Sequence, residues 1–172
     1  MRLVLIALVA ALAASPAFAQ EHDKPACTAT DAALPAGMGN WNDGAAITTA
    51  PSPDHATHVP LALGKGYAAS LKKKGEVTFS VEPEKPGGSV SYSGLFSFTI
   101  PEAGNYAVAL GSAAWIDVLE DSKALEPASF GHGPECTTMR KKVVFGLKPG
   151  VHVLQVAGNG AETLKLMVAK AS

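Results

Sequence analysis

The sequence predicts an all-β chain: an antiparallel β-sandwich or jelly roll preceded by an irregular N-terminal arm. Three observations carry that expectation. From Tyr67 onwards apolar residues recur with a period of two, turn residues punctuate the runs at short intervals, and no segment carries a helical stripe of useful length. Alternation at period two puts every second side chain on one face of a strand, so that face can be buried while the other meets water. Eight or so strands of this kind need a second layer over their apolar faces, and two packed sheets supply it.

Taken in order, residues 1–19 read as a secretory signal peptide. Arg2 supplies the positive end, Leu3 to Ala14 form the apolar run, Pro16 breaks it, and Ala17-Phe18-Ala19 gives the small-x-small cleavage pattern. The run is short for a bilayer span and polar Gln20-Glu21-His22-Asp23 follows it, so the expectation is an exported chain, periplasmic or secreted, with no membrane span after cleavage. Residues 20–60, rich in Ala, Pro, Thr, Asp and Gly, form the irregular arm, with a short helix expected near Thr30–Ala33 and a strand around Ala46–Thr49. Residues 61–172 form the sandwich domain.

Within that domain Val77, Phe79 and Val81 alternate with Thr78 and Ser80, and Phe96, Phe98 and Ile100 with Ser97 and Thr99. Tyr106, Val108 and Leu110 follow, then Val143, Phe145 and Leu147, and finally Leu164, Leu166 and Val168. Pro101-Glu102-Ala103-Gly104-Asn105 reads as a hairpin loop, Lys148-Pro149-Gly150 as a type II turn, and Asn159-Gly160 as a hairpin turn between Val151–Ala157 and Thr163–Ala169.

The composition bounds the function. A chain of 172 residues with 47% apolar content builds one domain with a sizeable core. Fourteen Lys plus Arg against fifteen Asp plus Glu leave a net charge of −1 and no basic face for nucleic acid. The two cysteines, Cys27 and Cys136, read as a disulfide in an oxidising compartment, the alternative being a pair of thiolate metal ligands. No CxxC and no third Cys favours the disulfide.

Gly94–Asp117, GLFSFTIPEAGNYAVALGSAAWID, resembles the jelly-roll domains of secreted enzymes, pre-peptidase C-terminal domains and carbohydrate-binding modules among them, and VVFGLKPGVHVLQV at Val143–Val156 extends the likeness. EKPGGSVSYSGLF, AWIDV, GHGPECTTMRKKV and LQVAGN together are similar to a group of small exported alphaproteobacterial proteins often labelled homogentisate 1,2-dioxygenase. That resemblance implies a non-haem iron oxygenase on a cupin scaffold, whose iron is held by two His and one Glu. Gly131-His132-Gly133-Pro134-Glu135 offers one His and one Glu, with Gly where a second His would sit. Pro149-Gly150-Val151-His152 and Asn159 resemble the second cupin motif, with the Asn too far along. His132, Glu135 and His152 are the triad the resemblance implies.

Other candidate sites come from the residues themselves. After cleavage, Gln20-Glu21-His22 would place an amine, two peptide nitrogens and an imidazole in a square-planar set suited to copper or nickel, unless Gln20 cyclises. His55 and His58, with Asp54, could hold zinc or copper, against two solvated loop histidines. Trp115 and Asp117 share one strand face while Ile116 and Val118 share the other, so an indole beside a carboxylate could hold a sugar ring; the alternative is an indole covered by Asn40-Trp41-Asn42 or by the loop around Phe130. The loop bearing His132, Glu135 and Cys136 is either a binding site or a covalent staple with incidental polar neighbours. Lys72-Lys73-Lys74 and Arg140-Lys141-Lys142 read as solvated edge protection. There is no Gly-x-Ser-x-Gly elbow and no Gly-rich phosphate loop before a helix. The sequence therefore favours a non-catalytic binding domain for a small molecule, glycan, metal or envelope protein, with the iron oxygenase as the alternative.

Overall fold

Two six-stranded layers face each other across the apolar side chains that the alternation singles out. The structure is a computed structural model that describes Cys27 and residues 30–171. The expected signal peptide and the Gln20–His22 site lie outside the described residues. The strands are β1 Ala45–Thr48, β2 Pro60–Leu61, β3 Tyr67–Ser70, β4 Lys72–Lys73, β5 Tyr92–Ile100, β6 Gly104–Leu110, β7 Trp115–Glu120, β8 Lys123–Ala124, β9 Ser129–Gly131, β10 Lys141–Leu147, β11 Gly150–Asn159 and β12 Thr163–Lys170. One sheet has the order β1-β3-β12-β6-β10-β9; the other runs β2-β5-β11-β7-β8, with β4 also paired to β5. Between them Phe96, Phe98 and Ile100 meet Val108, Leu110, Phe145 and Leu166, all essentially buried. Each such side chain contributes about 1.5–3 kcal/mol on burial.

The sandwich is the predicted one, but its sheets are mixed. β1 runs parallel to β3 and β2 parallel to β5. A parallel pair needs a long crossover, and the segment from Thr49 to Gly66 supplies the first one. It contains a single helical turn, α1 at Pro53–Ala56, with Pro at its first position, where no N–H is needed. Thr30–Ala33, where a helix was expected, forms turns instead. The strand expected around Ala46–Thr49 is present as β1, and it joins the arm to the sandwich by pairing with β3 from Ala45 onwards.

The three reverse turns are present, yet none of them makes a hairpin. β5 and β6, β10 and β11, and β11 and β12 lie in opposite sheets, so each turn is an arch that carries the chain from one layer to the other. Turn chemistry reverses the chain direction; burial of the apolar face decides which layer the next strand joins. In the last arch Asn159, nearly buried, donates its amide to the carbonyls of Ala161 at 2.6 Å and Thr163 at 3.2 Å. A tight hairpin does join β7 to β8, where Asp121 and Ser122 both adopt positive φ, 50° and 61°.

Val77–Val81, expected to be a strand, pairs with neither sheet. It lies across the outer face of the β11 sheet, because the Gln155 side chain takes its backbone: Ser80 N–H donates to Gln155 Oε1 at 2.8 Å and Gln155 Nε2 donates to Val81 O at 3.0 Å. Val77 packs there with Ala50, Ala56, Val59, Leu95 and Val153. The opposite outer face is covered by the N-terminal arm, where Met38 and the fully buried Trp41 rest on Ala107, Ala109, Met139 and Met167.

Candidate functional site

Strand β7 starts at the rim of the sandwich, and its alternation sets the site. Ile116 and Val118 are buried in the core, whereas Trp115 and Asp117 face outward, as the sequence reading required. Neither Trp41 nor Phe130 covers the indole: Trp41 is buried on the opposite outer face, and Phe130 is exposed on the far edge strand. Trp115 Nε1–H donates to Asp117 Oδ1 at 2.9 Å, fixing the ring two residues along its own strand.

Two lysines come to this ring from different directions. Lys141 opens β10 of the opposite sheet and shares the inward parity of Val143, Phe145 and Leu147. Its ammonium donates to Ala114 O at 2.9 Å and stands 5.3 Å from the Trp115 ring centroid. Lys85 comes from the 82–90 loop, its ammonium 5.4 Å from the same centroid. That loop is seated by a glycine contact: a Cβ on Gly87, whose φ is +77°, would lie 2.6 Å from Gly158 Cα and 2.5 Å from Ser91 Oγ. Gly158 has φ +69° in the irregular part of β11, one residue past the Ala157 that pairs with Trp115. Lys85, Gly87, Ala113, Trp115, Lys141, Ala157 and Gly158 enclose a cleft of about 230 Å³.

Electrostatics follow the burial. Desolvation pushes the Asp117 carboxyl above its usual range, with the Glu84 charge adding to it; the Trp115 bond, the nearby Gln155 amide and the Lys141 charge only partly offset it. Desolvation, reinforced by the Lys85 charge, pushes the Lys141 ammonium below its usual value, against the opposing pull of Asp117. Asp117 Oδ2 is buried without a hydrogen-bond partner. The sequence reading singled out Trp115 and Asp117 and missed Lys85, Lys141 and the Gly87–Gly158 seat. For Lys141 the signal was its parity with the β10 core residues; nothing local marked Lys85.

The iron triad implied by the resemblance is not brought together. Residues on the inner face of β11 include His152, which is buried, stacks on Phe98 at 5.7 Å between ring centroids, and donates from Nε2 to Lys148 O at 2.9 Å. His132 and Glu135 lie exposed in the loop after β9, at the edge of the other sheet. No side chain could stand at Gly133, since a Cβ there would be 2.0 Å from Met139 O. Asn159, matched to the second cupin motif, holds the last arch. His55 and His58 are exposed on and after α1, His55 Nδ1 lying 2.7 Å from Ser52 Oγ. Among the described residues no three His, Cys, Asp or Glu side chains are grouped to share a metal ion.

The His132 loop has the features of a staple. Cys136 is disulfide-bonded to Cys27, and Asp31 N–H donates to Cys136 O at 2.8 Å. The Asp31 carboxylate accepts from Thr138 N–H at 2.6 Å and Thr138 Oγ1 at 2.7 Å, while Trp41 Nε1 donates to the same hydroxyl at 2.8 Å. Burial pushes the Asp31 carboxyl up, but the Thr138 bonds, with the Lys165 charge, more than offset it and hold it below its usual value.

No family model matches the chain, and no curated protein matches it. Nothing among the comparisons therefore supports the dioxygenase resemblance. Among solved structures the chain is similar to the pre-peptidase C-terminal domain of a collagenase from Bacillus anthracis, at 16% identity and a TM-score of 0.39, over 73% of this chain and 95% of that one.

Proposed function

We propose that the chain is an exported, non-catalytic β-sandwich domain that holds a saccharide ring against Trp115. The observation that carries this reading is a partly exposed indole that lines a cleft together with Lys85 and Lys141, its N–H already satisfied by Asp117. A disulfide between Cys27 and Cys136 supports a location outside the cytoplasm, where such bonds persist. No helix among the described residues is long and apolar enough to cross a membrane. Screening the purified protein on an array of neutral and acidic glycans tests the reading. Retention of at least one glycan class is expected, with Trp115→Ala reducing it at least tenfold while the near-ultraviolet circular dichroism keeps its folded pattern. Equal binding by the variant, or no retention at all, overturns it.

A further inference from the structure

We infer that the Trp115 cleft is selective for acidic saccharides, with Lys85 and Lys141 together receiving the carboxylate of a uronic acid ring. This rests on the reading of Trp115 as a sugar platform and adds the chemical class. Two ammonium groups stand at nearly equal distance from one ring centroid, 5.4 and 5.3 Å. Among the described residues neither has a carboxylate within ion-pair distance. Asp117, the nearest acid on β7, is turned to the indole N–H.

Both ammonium groups line one cleft with the indole, and the Lys85 charge disfavours the Lys141 ammonium. Lys141 is tethered by Ala114 O, and the loop bearing Lys85 is seated where Gly87 meets Gly158. An anion in that cleft meets both lysines and offsets their charge, with Lys141 already held in place. The indole gives the ring an apolar surface, which a bare inorganic anion does not need. At about 230 Å³ the cleft falls below the 300–1,000 Å³ of pockets for drug-sized ligands, which suits one ring of a chain that continues into solvent. Lysines bind carboxylates as point charges, so ring position is set by the indole and charge selection by the pair.

Calorimetric titration of the full chain with trigalacturonate, galacturonate and neutral xylotriose tests this. Trigalacturonate is expected to bind at least tenfold more tightly than xylotriose, and Lys85→Ala or Lys141→Met to weaken it at least fivefold each without changing xylotriose affinity. The methionine keeps an unbranched stem at position 141 without the charge, and near-ultraviolet dichroism verifies folding of both variants. Binding of galacturonate as tight as that of the trimer identifies the free acid as the source of the carboxylate; tighter trimer binding identifies the polysaccharide. Equal affinity of the parent for trigalacturonate and xylotriose, with Trp115→Ala blind to both, overturns the charge selection and leaves the saccharide reading standing. Trigalacturonate binding that survives in Trp115→Ala, or a parent that binds none of the three, overturns both.

Discussion

Asp117 shows what the cleft costs the protein. Its carboxyl is desolvated on the outer face of β7 and favours the protonated form more than an unfolded chain would. The sign follows by linkage: a raised folded value means that this group's contribution is full below its unfolded value and is lost as pH rises through the folded one. Asp117→Asn keeps an acceptor for Trp115 Nε1–H and removes the titration. The melting temperature of the variant minus that of the parent is therefore expected to be greatest at neutral pH and to shrink as pH falls to about 4. A gap that widens toward acid contradicts the assignment. At this scale the sequence was informative where one strand decides: Trp115 and Asp117 share a face by parity alone. Lys85 and Lys141 were hidden because they reach the ring from a loop and from the opposite sheet, a convergence that no local pattern encodes. His152 was misleading for the opposite reason, since its place on the inward parity of β11 buries it beside Phe98, away from the exposed His132.

At the level of elements, β5, β6, β10 and β12 fall where the period-two runs lie, and β11 lies between the two turn motifs that bound it. Their partners were not legible. A turn motif specifies that the chain reverses, while the choice between hairpin and arch depends on which apolar face the following strand presents and what is waiting to cover it. Val77–Val81 failed as a strand for a related reason: the buried Gln155 amide on a neighbouring layer satisfies its backbone in place of a ladder. The 82–90 loop that continues from it carries Lys85, and its seat allows a test at the same scale. Gly87→Ala adds a Cβ into Gly158 and Ser91 at a residue with positive φ, so the loop must lift. Trigalacturonate affinity is expected to fall about as far in Gly87→Ala as in Lys85→Ala, although no charge has changed. Unaltered affinity shows that the loop position does not matter.

For the molecule as a whole, the N-terminal arm is a third layer tied to the body by Cys27–Cys136, by Asp31 on Thr138, and by Trp41 under the 136–139 segment. The expectation of one disulfide joining the arm to the second half of the domain was legible from compartment and cysteine count, whereas burial of Trp41 was not, because the arm has no periodicity to show which face it presents. Closing a loop with a sequence separation of 109 residues restricts the unfolded chain enough to contribute about 4 kcal/mol. The Cys27→Ser, Cys136→Ser double variant is expected to lose stability of that order in urea unfolding, with unchanged binding at the Trp115 cleft on the other outer face. A loss of binding would show that the two faces are coupled through the core.

The arches have a consequence for how such a chain comes to be made. Apart from short local pairings, a strand's neighbour is seldom the one just synthesised: Ile100 of β5 meets Gly150 of β11, and Tyr106 of β6 meets both Phe145 and Lys170. Neither layer can be completed until β11 and β12 exist, so the polypeptide emerging from the ribosome has little to collapse onto. Until residues 150–170 have been made, β5 and β7 lack the strand that joins them, and so do β3 and β6.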